Sequence, residues 1–241
     1  MFELSIDGAV ARLRLARPEA RNAIPVAGWH RLAELVGEAE AAGARLLILS
    51  GDPAAFSAGA DIGEFPTLLD DAQARTAFRE AMRVGIEAVD DAPMPTLALV
   101  EGPCFGAAVA LAMACDLRIA GPGARFAITP AKFGISYPQQ DVHRLVQLVG
   151  RGQAARLLLT ARAVDAAEAA RIGLVDILAQ DAGSEARAAA DAIVEGSAAS
   201  QAELRRAIRL AGEGVASDAE QDRRFEALFG SEELARRLPR R

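Results

Sequence analysis

Apolar residues follow two different periods in the first fifty residues of the chain. Apolar and polar residues alternate from Phe2 to Ile6 and from Val10 to Leu15, with Asp7-Gly8 between them, which predicts a β-hairpin. From Val26 to Ala42 the apolar residues recur at helical spacing. The unbroken apolar run from Leu46 to Leu49 predicts a buried strand.

The order of strand, helix and strand repeats further along the chain. The pattern predicts a helix within Asp70 to Val89, a strand from Thr96 to Val100, an alanine-rich helix from Ala107 and a strand from Leu117 to Ile119. Because helices alternate with short strands, we expect parallel strands joined by right-handed helical crossovers.

After Pro138 the pattern changes to helices without a strand between them. These helices are predicted at Val142 to Val149, Gln153 to Leu159, Ala166 to Arg171 and most of Ser184 to Phe229. We therefore expect an α/β core over residues 1–180, which includes the start of the helical region, and a C-terminal helical subdomain over residues 181–241.

Composition restricts the classes of function. The chain has 241 residues, of which 51 % are hydrophobic, so it can bury a sizeable core. Its net charge of −6 disfavours nucleic acid as a partner. No apolar run reaches the roughly 18 residues of a membrane span, and the first ten residues lack a signal-peptide pattern, so we expect a cytoplasmic protein without a membrane partner. Cys104 and Cys115 lack CxxC spacing, which predicts buried thiols rather than a metal site.

Two glycine-containing turns each follow a buried strand and precede a helix. The first runs from Phe56 to Asp61 and the second from Glu101 to Ala108. Such turns can direct backbone N–H groups into a cleft, although small residues at these positions also allow close packing of backbone and helix.

The two turns, together with two further segments, resemble the crotonase or enoyl-CoA hydratase/isomerase superfamily over residues 13–229. The further segments are Arg17 to Ala23, after the second strand, and Leu157 to Val175. The resemblance implies a crotonase-like α/β spiral of ββα units with C-terminal helices that form homotrimers or dimers of trimers. A Rossmann domain is the structural alternative, but no GxGxxG motif follows an early strand.

The resemblance also implies a reaction class. The substrate is an acyl-CoA thioester, as in fatty acid metabolism, whose enolate oxygen binds two backbone N–H donors; coenzyme A enters as part of the substrate, with no separate cofactor or metal. By position the donors would be Ala58 and Ala107, with Gly106 before the second. The residues expected to line the coenzyme A site are Arg21, Ala58, Gly59, Ala60, Asp61 and Ile62. Asp61 has a simpler interpretation as a helix N-cap, and Arg21 as a solvated charge.

The chain departs from the family at the two glutamates that hydratases use to deliver water. Ala110 and Pro130 occupy the matching positions, and neither can act as an acid or a base. We therefore do not expect hydration by the usual mechanism. Glu64 or Asp141 would have to reach the cleft from another direction, and both are interpreted as surface charges.

The segment from Phe126 to Pro138 is similar to the methylmalonyl-CoA decarboxylase branch, with Thr129-Pro130 and Tyr137 at corresponding spacings. Loss of CO₂ forms the enolate without a base, so an oxyanion hole and a proton donor would suffice. Tyr137 is the predicted donor or carboxylate-orienting group, or else a tyrosine bonded to the backbone. A histidine that this branch carries is replaced by Ala60, while His143 and His30 are interpreted as structural.

Three hypotheses about function follow from these departures. The first is an enolate-forming acyl-CoA enzyme with decarboxylase chemistry. The second is a hydratase or isomerase with displaced catalytic groups, and the third is a non-catalytic coenzyme A-binding protein. The arginines from Arg236 to Arg241 could bind coenzyme A phosphates or form a frayed, solvated end.

Overall fold

The computed structural model describes residues 1–238. Its N-terminal hairpin pairs β1 (Phe2–Asp7) with β2 (Val10–Leu15) in antiparallel register, with Phe2 opposite Leu15. Gly8 in the turn has a φ of 57°, a left-handed conformation that glycine adopts at little cost. The predicted hairpin is confirmed, with the first strand one residue longer.

The main sheet has six strands, and all neighbours after the hairpin are parallel. Its order is β1-β2-β3-β4-β6-β9. The strands after the hairpin in this sheet are β3 (Leu46–Ser50), β4 (Thr96–Val100), β6 (Leu117–Ala120) and β9 (Ile177–Leu178). Because both faces of a parallel sheet are covered, its strands are mostly apolar, and the sequence predicted three of these four.

A second sheet of three short strands lies at the site described below. It consists of β5 (Pro103–Phe105), β7 (Arg125–Ala127) and β8 (Val164–Asp165), with β7 between the other two. The prediction that no strand follows Pro138 is wrong, because β8 and β9 both do. Each has two residues, too few for a hydrophobic period, and forms by pairing with a strand already in place.

Ten helices of residues 1–238 surround the sheets. The first six are α1 (Val26–Ala41), α2 (Phe65–Asp70), α3 (Ala72–Asp90), α4 (Ala107–Met113), α5 (Gln139–Thr160) and α6 (Ala166–Arg171). The two helices predicted at 142–149 and 153–159 are one segment, α5. It is interrupted at Gly150, whose φ of 73° breaks the helical geometry.

The remaining helices are α7 (Ala182–Glu195), α8 (Ala198–Gly212), α9 (Ala219–Phe229) and α10 (Glu232–Arg237). Ala182, Ala186 and Ala190 of α7 pack on the apolar face of the main sheet. The helices after α7 have no buried residue, and their exposed apolar side chains are Leu204, Ile208, Phe225 and Phe229. The domain division at residue 181 stays a prediction.

No helix within residues 1–238 is long and apolar enough to cross a membrane.

Candidate active site

A cleft of about 1390 Å³ opens beside the second sheet. The loop after β3, the start of α4, helix α3, and the turn and first residues of α5 form its walls. The lining residues with backbone or side-chain groups suited to binding or catalysis are Arg21, Ala58, Ala60, Asp61, Ile62, Arg83, Gly106, Ala107, Lys132, Tyr137 and Asp141.

The loop after β3 is held by buried polar contacts from Asn22. The Asn22 side chain donates to the carbonyl oxygens of Ala55 at 2.8 Å and Phe56 at 3.2 Å, and it accepts from the Arg17 N–H at 2.7 Å. The Ser57 hydroxyl donates to the Asn22 carbonyl oxygen at 2.6 Å. Asn22 is 1 % exposed and has a φ of 56°, a conformation that asparagine tolerates. This residue fixes the loop backbone.

Ala58 is not an available oxyanion donor, so the prediction for its N–H is wrong. That N–H donates to the Arg21 carbonyl oxygen at 2.9 Å. The available donor in this loop is Ala60. Ile24 forms a parallel bridge with Ala60 by bonding to the residues on either side of it, Gly59 and Asp61. The Ala60 N–H therefore points away from Ile24, and within residues 1–238 it has no acceptor.

The Ala107 N–H, which the sequence predicts as the second donor, also has no acceptor in the part of the chain that the structure describes. Ala107 is the first residue of α4, so no carbonyl of its own helix accepts this bond, and none does elsewhere in residues 1–238. The preceding Gly106 has a φ of 56°, and its N–H donates to the Ala127 carbonyl oxygen at 2.8 Å. The loop is thus fixed while the Ala107 N–H stays free.

The two loops touch at Gly59. A Cβ atom at this position would lie 2.5 Å from the Phe105 carbonyl oxygen and 2.8 Å from the Ala107 nitrogen, and Gly59 has a φ of 92°. Only glycine permits this approach. Gly59 is therefore the contact that brings the Ala60 and Ala107 donors to the same end of the cleft.

Asp61 caps the turn that follows the first loop, which confirms its N-cap interpretation. Its carboxylate accepts from the Gly63 N–H at 2.9 Å. Sequence reasoning missed its second partner, Arg17, which donates at 2.6 Å and also bonds the Ala23 carbonyl oxygen. The Arg17 bond, together with the Gly63 N–H, lowers the pKa of Asp61. The mouth of the cleft has the exposed residues Arg21, Ile62 and Lys132.

Tyr137 lies in the turn before α5 and lines the cleft. Its hydroxyl donates to the Gly106 carbonyl oxygen at 3.0 Å, the backbone bond that was the structural alternative in the sequence. Burial, and secondarily the negative charge of Asp141, holds its pKa well above the usual value. The hydroxyl is therefore neutral near pH 7 and contacts the residue just before the Ala107 donor.

The missing glutamates and the two alternative carboxylates are placed differently from one another. Ala110 is fully buried and Pro130 begins a 3₁₀ turn. Because neither side chain has a carboxylate, these positions supply no acid or base to the cleft. Glu64 accepts from the Val26 N–H at 2.8 Å, which caps α1, and it does not line the cleft. The interpretation of Asp141 as a surface charge is wrong, because it is 1 % exposed and lines the cleft.

Other candidates lie away from the cleft. His30 on α1 and His143 on α5 are exposed and do not line it. Arg237 belongs to α10 and bonds the carbonyl oxygens of Glu195 and Gly196, so this part of the terminus is helical rather than frayed. Arg240 and Arg241 lie outside the described residues. Cys104 and Cys115 are buried thiols, and within residues 1–238 no cluster of His, Cys, Asp or Glu is arranged for a metal ion.

The fold and the two unpaired donors are typical of an α/β protein that binds a partly negative oxygen with backbone N–H groups. Comparison with known proteins specifies the family. The family described as enoyl-CoA hydratase/isomerase matches residues 5–233. The chain is 34 % identical to the "Probable enoyl-CoA hydratase echA8" of Mycobacterium tuberculosis, with 94 % of this chain and 89 % of that protein aligned.

Two further relatives agree. The "Probable enoyl-CoA hydratase echA6" of the same organism is 33 % identical over 78 % of this chain and 75 % of that protein. A solved structure assigned to the enoyl-CoA hydratase/isomerase family, from Hyphomonas neptunium, superposes with a TM-score of 0.92 at 37 % identity, covering 97 % of this chain and 91 % of the other. The chain belongs to the enoyl-CoA hydratase/isomerase family and has the crotonase fold. None of these three relatives is described as a decarboxylase, so they do not support the similarity to the methylmalonyl-CoA decarboxylase branch.

Proposed function

We propose that the cleft binds an acyl-CoA thioester with its carbonyl oxygen between the N–H groups of Ala60 and Ala107. The observation that carries this proposal is the pair of donors without acceptors on two loops that touch at Gly59. An enolate has more negative charge on that oxygen than the ground-state thioester does, so fixed donors lower the barrier to its formation.

The coenzyme A part of the ligand is proposed to follow the loop toward the mouth of the cleft. The walls there are formed by Ala58, Asp61 and Ile62, and the exposed cations Arg21 and Lys132 suit the phosphates. Calorimetry with a matched thioester and free acid tests this step, and we expect much tighter binding of the thioester. Equal affinities would remove the coenzyme A site.

Decarboxylation of a malonyl-type thioester is the first candidate reaction. The C–C bond to the carboxylate breaks, its electron pair forms the enolate, and CO₂ leaves, so no base is needed. The absence of a carboxylate at Ala110 and Pro130 supports this reaction. A proton must then return to the carbon from the α5 side, where Tyr137 and Asp141 lie.

Isomerisation or hydration with a displaced acid–base group is the second candidate. The specific observation in its favour is Asp141, a buried carboxyl in the same cleft. Turnover of a panel of malonyl-type, 2-enoyl and 3-enoyl thioesters separates the candidates. We expect slow or undetectable hydration of crotonyl-CoA, because hydration by the usual route needs two coordinated groups, and Ala110→Glu alone should not restore it. Binding without any turnover would instead identify a non-catalytic coenzyme A-binding protein.

A homotrimer or a dimer of trimers is also proposed. The exposed apolar residues Leu204, Ile208, Phe225 and Phe229 on α8 and α9 support burial of this surface between subunits. Sedimentation should give a mass of at least three chains, whereas a species of only 25.2 kDa would contradict the trimer. A cytoplasmic location agrees with the two unpaired cysteines.

A further inference from the structure

Asp141 is fixed at the cleft wall through one of its two carboxylate oxygens. Arg83 of α3 donates to Asp141 Oδ1 through both terminal nitrogens, at 3.1 and 3.0 Å, and Arg144 approaches the same oxygen at 3.4 Å. Arg144 also bonds Glu87 at 2.9 Å and Asp90 at 3.0 Å. The carboxyl is thus held by cations that have other anionic partners.

The second carboxylate oxygen of Asp141, Oδ2, accepts no hydrogen bond from residues 1–238. The Asp141 side chain is 2 % exposed, so only a small part of its surface is accessible. Because the residue lines the cleft, we infer that this accessible surface faces the cleft.

Asp141 and Tyr137 line the same cleft as the Ala60 and Ala107 donors. The Tyr137 hydroxyl donates to the carbonyl oxygen of Gly106 at 3.0 Å. Gly106 directly precedes the Ala107 donor. A thioester bound to this donor would therefore extend its acyl group along the wall formed by Tyr137 and Asp141.

We propose that Asp141, through Oδ2, exchanges a proton with the carbon next to the thioester carbonyl. This proposal rests on the function proposed above. In the forward direction the C–H bond breaks and its electron pair forms the C=C bond of the enolate. The carbonyl π pair moves to the thioester oxygen held by Ala60 and Ala107, and the proton remains on Asp141. In reverse, the same carboxyl protonates an enolate, including one formed by loss of CO₂.

The chemistry of the site agrees with proton exchange in both directions. Burial raises the pKa of Asp141 above its usual value, whereas Arg83 and Arg144 oppose that shift. A carboxyl with these opposing influences can both accept and release a proton. Tyr137 is a weaker candidate for the same step, because its hydroxyl already donates to Gly106 and its raised pKa makes it a poor base.

The exchange of α-hydrogens of butyryl-CoA for deuterium in D₂O isolates this step from the overall reaction. Mass spectrometry follows the exchange, and calorimetry measures butyryl-CoA binding by each variant. Asp141→Asn should lower the exchange rate by about 10²-fold or more, with affinity within a few-fold of the wild-type value. Tyr137→Phe should keep exchange within about 10-fold.

Asp176→Asn is the matched control, since Asp176 pairs with the buried Arg118 at 2.7 Å and does not line the cleft. It should leave exchange unchanged. If Asp141→Asn fails to fold, Asp141→Glu keeps the charge and displaces the oxygen by one methylene, and it should lower exchange by about 10-fold.

Wild-type exchange in Asp141→Asn, or in a folded Asp141→Glu when the first variant does not fold, overturns the proposal. So does loss of exchange in Tyr137→Phe alone. A wild-type protein that binds butyryl-CoA without exchanging its hydrogens also overturns it and leaves the binding function intact. Absence of thioester binding by the wild type removes the proposed function and this inference together.

Discussion

The two walls of the cleft supply chemistry from different parts of the chain. The wall formed by the loop after β3 and the start of α4 presents backbone N–H groups, and the side chains of Ala60 and Ala107 contribute only small size. The α5 wall presents the side chains of Tyr137 and Asp141. A backbone donor survives most substitutions, but a side-chain acid or base is lost with one. The reaction class is therefore better defined by this sequence than the reaction itself.

The largest effect is expected from Gly59→Ala, which disrupts the contact between the loops that carry the Ala60 and Ala107 N–H groups. A methyl group 2.5 Å from the Phe105 carbonyl oxygen must displace a loop, and the φ of 92° adds strain. Loss of one aligned donor should lower thioester turnover or α-hydrogen exchange by about 10²- to 10³-fold. Steady-state kinetics or deuterium exchange measures this loss.

Gly37→Ala is the control for that substitution. Gly37 is exposed on α1, and no heavy atom lies within 4 Å of the Cβ it would gain. The variant should keep full activity and gain about 0.5–1 kcal/mol of stability. Equal activities of the two glycine variants would contradict the assignment of Gly59 as the contact that aligns the donors.

A smaller effect is expected from Asn22→Ala, which removes the side-chain hydrogen bonds that hold the loop after β3. The substitution leaves the Arg17 N–H and the carbonyl oxygens of Ala55 and Phe56 without their side-chain partner. Unpaired buried groups of this kind should lower the free energy of unfolding by about 3 kcal/mol in total. Urea unfolding measures this change, and thioester affinity should fall with it.

Asn22→Gly separates lost hydrogen bonds from backbone strain. Glycine tolerates the φ of 56° but cannot restore the contacts, so it should remain nearly as unstable as the alanine variant. A glycine variant as stable as the wild type would assign the role of Asn22 to its backbone conformation alone.

The sequence was informative where a feature depends on pattern and uninformative where it depends on pairing in space. The hairpin and strands β3, β4 and β6 follow from apolar periods, whereas β8 and β9 exist only because β7 and β6 pair with them. Within the donor loop, composition cannot distinguish two alanines. The bond from Ala58 to Arg21 and the bridge at Ile24 decide that Ala60 is the free donor.

Asp141 illustrates the same limit for side chains. Three residues into α5, after a proline, a carboxylate is typical of an ordinary first-turn charge. Its burial follows from Arg83, which is 58 residues earlier in the chain and meets it only in the folded structure. Its partners Arg83 and Arg144 lie on two different helices, so no spacing in the sequence indicates that the three side chains meet.

The smallest predicted effect concerns Asp61, which directly follows the Ala60 donor in the loop after β3. Because Arg17 and the Gly63 N–H lower its folded-state pKa, the ionised carboxylate contributes stability above its ordinary, unfolded-state pKa of about 3.8. This contribution is lost as the pH falls through the lower folded-state pKa. Asp61→Asn should therefore cost about 1 kcal/mol at pH 7, allowing for partial exposure of the pair, and progressively less in acid. Urea unfolding of both proteins at pH 7 and pH 3 measures the difference, and a difference that grows in acid would contradict the assigned role of the Arg17 ion pair.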